Sequence, residues 1–152
     1  MSTKTIATNR RARFDYTILE TYEAGLVLTG SEVKSLREGR ANLKDAYGFV
    51  KDGEAWLIGA HISPYSFARE GGHDPERTRK LLLHKREIER IGSRLAEKGL
   101  TLVPIRLYFK DGRAKVELGL GKGKARYDKR ETLKRRQADR EMQRAMRHRS
   151  LD

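Results

Sequence analysis

The sequence predicts a mainly β protein with two short flanking helices, built as a small, closed or nearly closed antiparallel β-barrel that carries a basic tail. Three observations predict this class. Two Asp-Gly pairs, Asp52-Gly53 and Asp111-Gly112, each sit between apolar runs. Only two stretches have helical spacing. The last 32 residues hold 12 Lys and Arg against 5 Asp and Glu, a net of +7, and only eight apolar side chains, too few for a core of their own. At 152 residues the chain is about one domain. The pattern divides it into a basic N-terminal arm at 1–13, a folded body at 14–120 and a basic tail at 121–152.

Within the body, Tyr16–Thr21 alternates as a strand, and Glu23-Ala24-Gly25 is expected to turn the chain into Leu26-Val27-Leu28 as a hairpin. Ser31 is expected to cap a short helix with Val33 and Leu36 on one face, ending at Gly39. Asp-Gly tolerates positive φ at both central turn positions. Asp52-Gly53 therefore joins Ala46–Val50 to Ala55–His61, and Asp111-Gly112 joins Thr101–Phe109 to Ala114–Leu120. Between these hairpins, Ser63–Lys80 is rich in turn residues and is long for a structureless loop. A helix follows from Lys85 to Lys98, with Ile88, Ile91 and Leu95 at helical spacing and Gly99 as its stop. Pro104 lacks an N–H, so its strand is expected at an edge or with a bulge there. Trp56, Tyr47 and Phe109 lie in strands and are expected in the core. Among small antiparallel barrels, the OB type is a nucleic-acid platform.

Charge points to the partner. The formal net charge is +13, which makes a polyanion, nucleic acid first, the expected partner. A basic tail that serves solubility alone is the competing reading. No cysteine is present, which excludes a disulfide scaffold, a Cys-ligated zinc site, an iron–sulfur cluster and a thiol nucleophile. No apolar run approaches the roughly 18 residues of a membrane span, and the first dozen residues have no apolar stretch. A soluble, cytoplasmic monomer without cofactor or metal is expected.

No catalytic constellation is evident, so the protein is not expected to be an enzyme. His61, His73, His84 and His148 have no metal-binding i, i+4 spacing and no framing carboxylate pair. Gly119-Leu120-Gly121-Lys122-Gly123-Lys124 invites a phosphate-loop reading, but Val116 and Leu118 stand where a Walker motif needs glycine, and Ala125 replaces its hydroxyl. The three glycines are expected either to bring backbone close to a phosphate chain, with Lys122 and Lys124 as point charges, or to form a flexible linker.

The tail has its own pattern. Arg136, Arg140 and Arg144 are spaced i, i+4, i+8, beside a narrow apolar stripe of Ala138, Met142, Ala145 and Met146. Like charges at i, i+4 cost a helix about 0.2–0.5 kcal/mol per pair. The tail is thus expected to be disordered when free and helical when phosphates neutralise it. Tyr127, away from any core, suits stacking on a base.

Three separated runs carry a further resemblance: Asn9 to Tyr47 (NRRARFDYTILETYEAGLVLTGSEVKSLREGRANLKDAY), Arg77 to Ile88 (RTRKLLLHKREI) and Gly121 to Arg136 (GKGKARYDKRETLKRR). In this order, across nearly the whole chain, they resemble the SsrA-binding protein family of bacteria. The resemblance implies an OB-like β-barrel whose C-terminal tail is disordered or helical on binding. It implies a protein that binds transfer-messenger RNA and delivers it to stalled ribosomes for trans-translation. There the tail enters the vacant messenger path in the decoding region of the small subunit.

The family's RNA-gripping residues map onto Asn9 and the neighbouring Arg11, Glu23, Leu82 and Lys115. The ribosome-facing tail maps onto Lys122, Lys124, Asp128, Lys129 and Arg130, with the stripe Arg136, Arg140 and Arg144 beyond. Tyr127 stands where many relatives have His, which keeps the planar ring and loses the imidazole. Ala138 stands near a tail Trp of some relatives. Glu23, an acceptor-only carboxylate, suits base amino groups or a ribose hydroxyl rather than phosphate. A ribosomal-type protein bound permanently to one rRNA site is the alternative that composition supports.

Overall fold

The computed structural model describes residues 3–65, 73–97, 99–124 and 140. The elements run β1 (Thr3–Thr8), α1 (Ala12–Asp15), β2 (Tyr16–Leu26), α2 (Gly30–Arg37), β3 (Ala41–Asn42), β4 (Tyr47–Lys51), β5 (Glu54–Ile58), β6 (His61–Ile62), β7 (Arg79–Leu82), α3 (Lys85–Leu95), β8 (Leu100–Lys110) and β9 (Arg113–Gly123). Seven strands form one antiparallel sheet in the order β1-β8-β4-β5-β7-β2-β9, and β8 also pairs with β9. The sheet therefore curls into a partly closed ring, with β1 outside it on β8. Strands β3 and β6 pair separately. The mainly β, nearly closed antiparallel architecture expected from the sequence is the one found. No helix among the described residues is long and apolar enough to cross a membrane.

Both Asp-Gly hairpins form where expected. Asp52 and Gly53 have φ of 54° and 75°, and Asp111 and Gly112 have 50° and 81°, the paired left-handed residues of a tight hairpin turn. Pro104 is accommodated by a register shift between Pro104 and Arg106 on β8. The seams of the ring are short. Strands β4 and β8 meet at Gly48 opposite Leu102. A Cβ on Gly48 would lie 2.6 Å from Leu102 Cδ2, so only glycine allows this approach.

The core lies inside the ring: Leu57, Leu81, Leu102, Leu107, Val116 and Leu118 from the strands, with Leu36 of α2 and Ile91 of α3. Helix α3 keeps the expected Ile88, Ile91, Leu95 face, with Ile91 fully buried and Gly92 over Val50. Gly99 follows it with φ of 86°.

Four expectations are corrected. The hairpin at Glu23-Ala24-Gly25 does not form; β2 runs unbroken through it, pairing Glu23, Ala24 and Gly25 with Glu117, Val116 and Lys115. Ala24 is buried, and the irregularity in β2 is a register shift between Ile18 and Glu20. Thr29, not Ser31, caps α2: its Oγ1 accepts from the Glu32 N–H at 3.3 Å while the Glu32 carboxylate accepts from the Thr29 N–H at 2.8 Å. The glycines after Leu118 do not form a flexible linker but are part of β9. There Gly119 packs under Ile18 and Ile105, and Gly121 under Tyr16. Finally, Tyr47 is 47% exposed, Trp56 is half-buried opposite Phe49, and Phe109 only edges the core.

Two segments carry, within the described residues, structure that their composition does not suggest. Residues 3–8, within the expected arm, add a strand to β8. The turn-rich stretch ends in β7, held by a buried ionic knot. Arg79, fully buried, donates from Nε to Glu32 Oε2 at 2.6 Å and from Nη1 to the Ala60 carbonyl at 2.7 Å. Arg77 Nη2 donates to Glu32 Oε1 at 2.6 Å. His73 ties the same region, with Nδ1 2.8 Å from Ser31 Oγ and Nε2 2.8 Å from the Ile62 carbonyl.

Candidate nucleic-acid interface

The period of two along β8 puts Arg106, Tyr108 and Lys110 on one face. Register extends this face across the sheet: Glu117 lies opposite Arg106 and Lys115 opposite Tyr108, while Glu23 lies opposite Glu117. Two carboxylates directly opposite each other destabilise a sheet. Strand β8 resolves the conflict. Arg106 Nε donates to Glu117 Oε1 at 3.1 Å, and Lys110 Nζ donates to the two Glu23 oxygens at 3.2 and 3.4 Å. The Tyr108 hydroxyl donates to Glu23 Oε2. Tyr108 is 2% exposed, with the Arg106 guanidinium 4.2 Å over its ring.

These partners fix the chemistry of Glu23. The Tyr108 hydrogen bond, supported by Lys110 and Lys115, holds its carboxyl below the usual carboxylate range against the effect of partial burial. Burial and the neighbouring Glu23 push the Tyr108 hydroxyl up, so it stays a donor. The result is an ionised acceptor on an exposed residue, set among cations. Such a group suits amino or hydroxyl donors, and cations such as the surrounding Lys110, Arg113 and Lys115 suit phosphate.

Two concavities meet at this point. One is lined by Glu23, Lys110, Asp111, Arg113 and Lys115. The other, of about 300 Å³, is floored by Gly25, Leu28 and Phe109 and edged by Leu82, and it shares Arg113 and Lys115 with the first. Leu82 is 53% exposed at the end of β7, beside Gly25. The fold thus brings together three residues that the sequence places in three separate motifs: Glu23, Leu82 and Lys115.

Asn9 and Arg11 lie elsewhere, in a different concavity beside α1. Asn9 is partly committed to the fold: its backbone N–H donates to the Ile105 carbonyl at 2.7 Å and Nδ2 to the Pro104 carbonyl at 3.0 Å. Arg11 is exposed, 4.7 Å over the Phe14 ring and 3.4 Å from Asp15. Lys122 is exposed near the end of β9, opposite Thr17 and Leu100. The Lys124 N–H donates to the Asp15 carbonyl at 3.0 Å, and its Nζ lies 5.9 Å from Phe14. Arg140 is helical and exposed. Tyr127, Asp128, Lys129, Arg130, Arg136, Arg144 and Ala138 fall outside the described residues.

Arg106, Tyr108, Lys110 and Glu117 share the face of Glu23 and are absent from the sequence-based candidates. The alternation Arg-x-Tyr-x-Lys over Arg106–Lys110, within an expected strand, is the signal that points to them. Among the described residues no cluster of three or more His, Cys, Asp or Glu side chains is arranged to hold a metal.

Comparisons with known proteins agree over almost the whole chain. A family model described as SmpB protein matches residues 6–148. The SsrA-binding protein of Gloeothece citriformis is 61% identical over 145 residues, covering 95% of this chain and 94% of that one. That of Leifsonia xyli subsp. xyli is 61% identical over 143 residues, covering 94% and 90%. A chain in a solved structure described as "tmRNA-SmpB: a journey to the center of the bacterial ribosome" is 49% identical with a TM-score of 0.69, covering 84% of this chain and 93% of that one.

Proposed function

The chain belongs to the SmpB protein family, and from that membership we propose that it binds transfer-messenger RNA and delivers it to stalled ribosomes for trans-translation. It acts in the cytoplasm as a binding and delivery factor, not as a catalyst. The observation that carries the RNA-binding half is the convergence of Leu82 and Lys115 on Glu23, whose carboxylate Tyr108 holds. Glu23 accepts from a base amino group or ribose hydroxyl, Leu82 offers an apolar contact, and Lys115 meets phosphate. Asn9 and Arg11 add a second contact to the same RNA. Lys122, Lys124, Tyr127, Asp128, Lys129, Arg130 and the arginines 136, 140 and 144 face the ribosome.

RNA recovered with the protein from its host should be dominated by one transfer-messenger RNA; stoichiometric rRNA would instead favour a resident ribosomal protein. Glu23→Ala should weaken binding of that RNA without changing its salt dependence, because the carboxylate neutralises no phosphate. Lys115→Ala should weaken binding and lower the salt slope by about one contact's worth. Tighter binding by Glu23→Ala would mean that the carboxylate is only a repulsive charge.

The body and tail divide the work. The hydrogen bonds from Gly123 to Gly99 and from Lys124 to Asp15 support placing the boundary after residue 124 rather than after 120. A fragment of residues 1–124 is expected to fold and bind transfer-messenger RNA, yet fail to support tagging on stalled ribosomes. Circular dichroism, RNA titration and a tagging assay check the three parts separately.

A further inference from the structure

The carboxylate at the centre of the basic face already has partners in the unbound protein. Lys110 Nζ donates to both Glu23 oxygens, at 3.2 and 3.4 Å, and the Tyr108 hydroxyl donates to Oε2. The other charged groups of the same concavity are Arg113 and Lys115 on β9 and Asp111 in the turn before it. Lys115 acts on Glu23 through its charge, and Arg106 answers Glu117 instead.

The two hydrogen-bond partners of Glu23 differ in how readily they let go. Tyr108 is 2% exposed with Arg106 over its ring, so releasing Glu23 would leave a buried hydroxyl without an acceptor. The side chains of Lys110 and Glu23 are 33% and 40% exposed. A pair at that exposure is weak and screened by salt, and the ammonium rides on a flexible four-carbon stem. Opening the pair nevertheless has a condition. A phosphate that draws Lys110 away by itself is left facing an uncompensated carboxylate, a like-charge contact. A nucleotide that offers an amino or hydroxyl donor to Glu23 together with a phosphate to Lys110 satisfies both groups at once.

We propose that Lys110 and Glu23 form a selectivity latch: Lys110 occupies Glu23 in the free protein, and an RNA that presents a donor and a phosphate together moves Lys110 from the carboxylate to that phosphate. Tyr108 holds Glu23 throughout. The proposal rests on the RNA-binding reading of the Glu23 face and adds to it the means by which that face rejects polyanions that offer charge alone. Lys115, which has no hydrogen bond to Glu23 to give up, carries no such condition.

The test uses the full chain with two probes, transfer-messenger RNA and long-chain polyphosphate, a polyanion without base or ribose donors. Lys110→Ala should lower the salt slope by about one contact on the RNA and leave the slope on polyphosphate unchanged. Lys110→Arg keeps the charge and should keep the wild-type slope on the RNA. Glu23→Ala frees Lys110, so its slope on polyphosphate should rise by about one contact, and adding Lys110→Ala to it should abolish that rise. Melting of each variant is measured alongside, and Lys110→Gln supplies a second neutral variant if Lys110→Ala folds poorly.

An unchanged RNA slope in Lys110→Ala would mean that Lys110 stays on Glu23, and an equal drop on both probes would make it an ordinary phosphate cation. Either result overturns the proposal, and so does a wild-type polyphosphate slope in Glu23→Ala. Binding of transfer-messenger RNA by Glu23→Ala separates the two levels. If it weakens while Lys110→Ala leaves the slope unchanged, the latch falls and the reading of the face stands. If it does not weaken, both fall.

Discussion

Glu32→Ala is expected to cost about 3–5 kcal/mol of folding stability, most of what a domain of this size has to lose. The reason is Arg79, which stays fully buried while losing its counter-charge. Its Nη1 bond to the Ala60 carbonyl neutralises nothing. Arg77 loses its carboxylate partner and Thr29 loses half of the capping box, so α2, β7 and the stretch between them loosen together. An exposed pair gives the contrast. Lys80 and Glu54 sit 3.0 Å apart on the surface, where such pairs contribute about 0–1 kcal/mol. Urea denaturation of Glu32→Ala and Glu54→Ala at neutral pH should separate them clearly, and equal midpoints would show that the buried knot contributes no more than a surface pair.

The same knot sets an acid limit. Burial alone would raise the Glu32 carboxyl, but Arg77, the Thr29 N–H and Arg79 outweigh it and hold it at about 2, below its ordinary 4.5. A carboxyl depressed in the folded state adds stability that is present above 4.5 and is lost as pH falls from 4.5 toward 2. Glu20 acts in the same direction: hydrogen bonds from Arg90 and then from Tyr22 hold it at about 2. Wild-type stability should therefore fall steeply over that window. Glu32→Gln, already without the charge, should start lower and fall less.

Little of this knot is legible in the sequence, because patterning places charges outside by default. Arg79 sits in a run of turn residues and basic side chains, and only long-range packing gives it a buried carboxylate partner. The local elements were more readable. Asp-Gly turns and the Ile88, Ile91, Leu95 spacing act over a few residues, and the fold keeps them. The capping box Thr29-x-x-Glu32 is equally local, but Ser31 offers a competing capping hydroxyl two residues on.

Local composition is outweighed where strand register decides. Glu23-Ala24-Gly25 has turn composition, yet nine residue pairs with β9 and the contact of Gly25 with Leu82 outweigh it. The candidate site follows the same rule. Glu23, Leu82 and Lys115 came from a resemblance, since no spacing in the chain brings them together. Their supporting shell of Arg106, Tyr108 and Lys110 was open to a period-of-two reading once β8 had been placed.

Charge reversal in the tail is expected to abolish ribosome rescue while leaving the body intact. Arg136, Arg140 and Arg144 have the i, i+4, i+8 spacing of one helical face, and Arg140, helical and exposed, is the member of the three among the described residues. Arg136→Glu with Arg140→Glu changes the charge relationships within that stripe. It removes the like-charge pair of Arg140 with Arg144 and creates an opposite one. Each changed pair is worth only about 0.2–0.5 kcal/mol, so helicity in the free protein should hold or rise slightly.

Function should move the other way. In an RNA-lined channel two attractions to phosphate become two repulsions, and like-charge juxtaposition at an interface costs several kcal/mol. Tagging should drop by two orders of magnitude or more. Binding of transfer-messenger RNA should be largely kept, because the Glu23, Leu82 and Lys115 face lies in the ring of strands. Circular dichroism, RNA titration and a tagging assay on the one double mutant read these three effects independently. Normal tagging would make the stripe a solvated face, and lost RNA binding would mean that body and tail grip the same RNA.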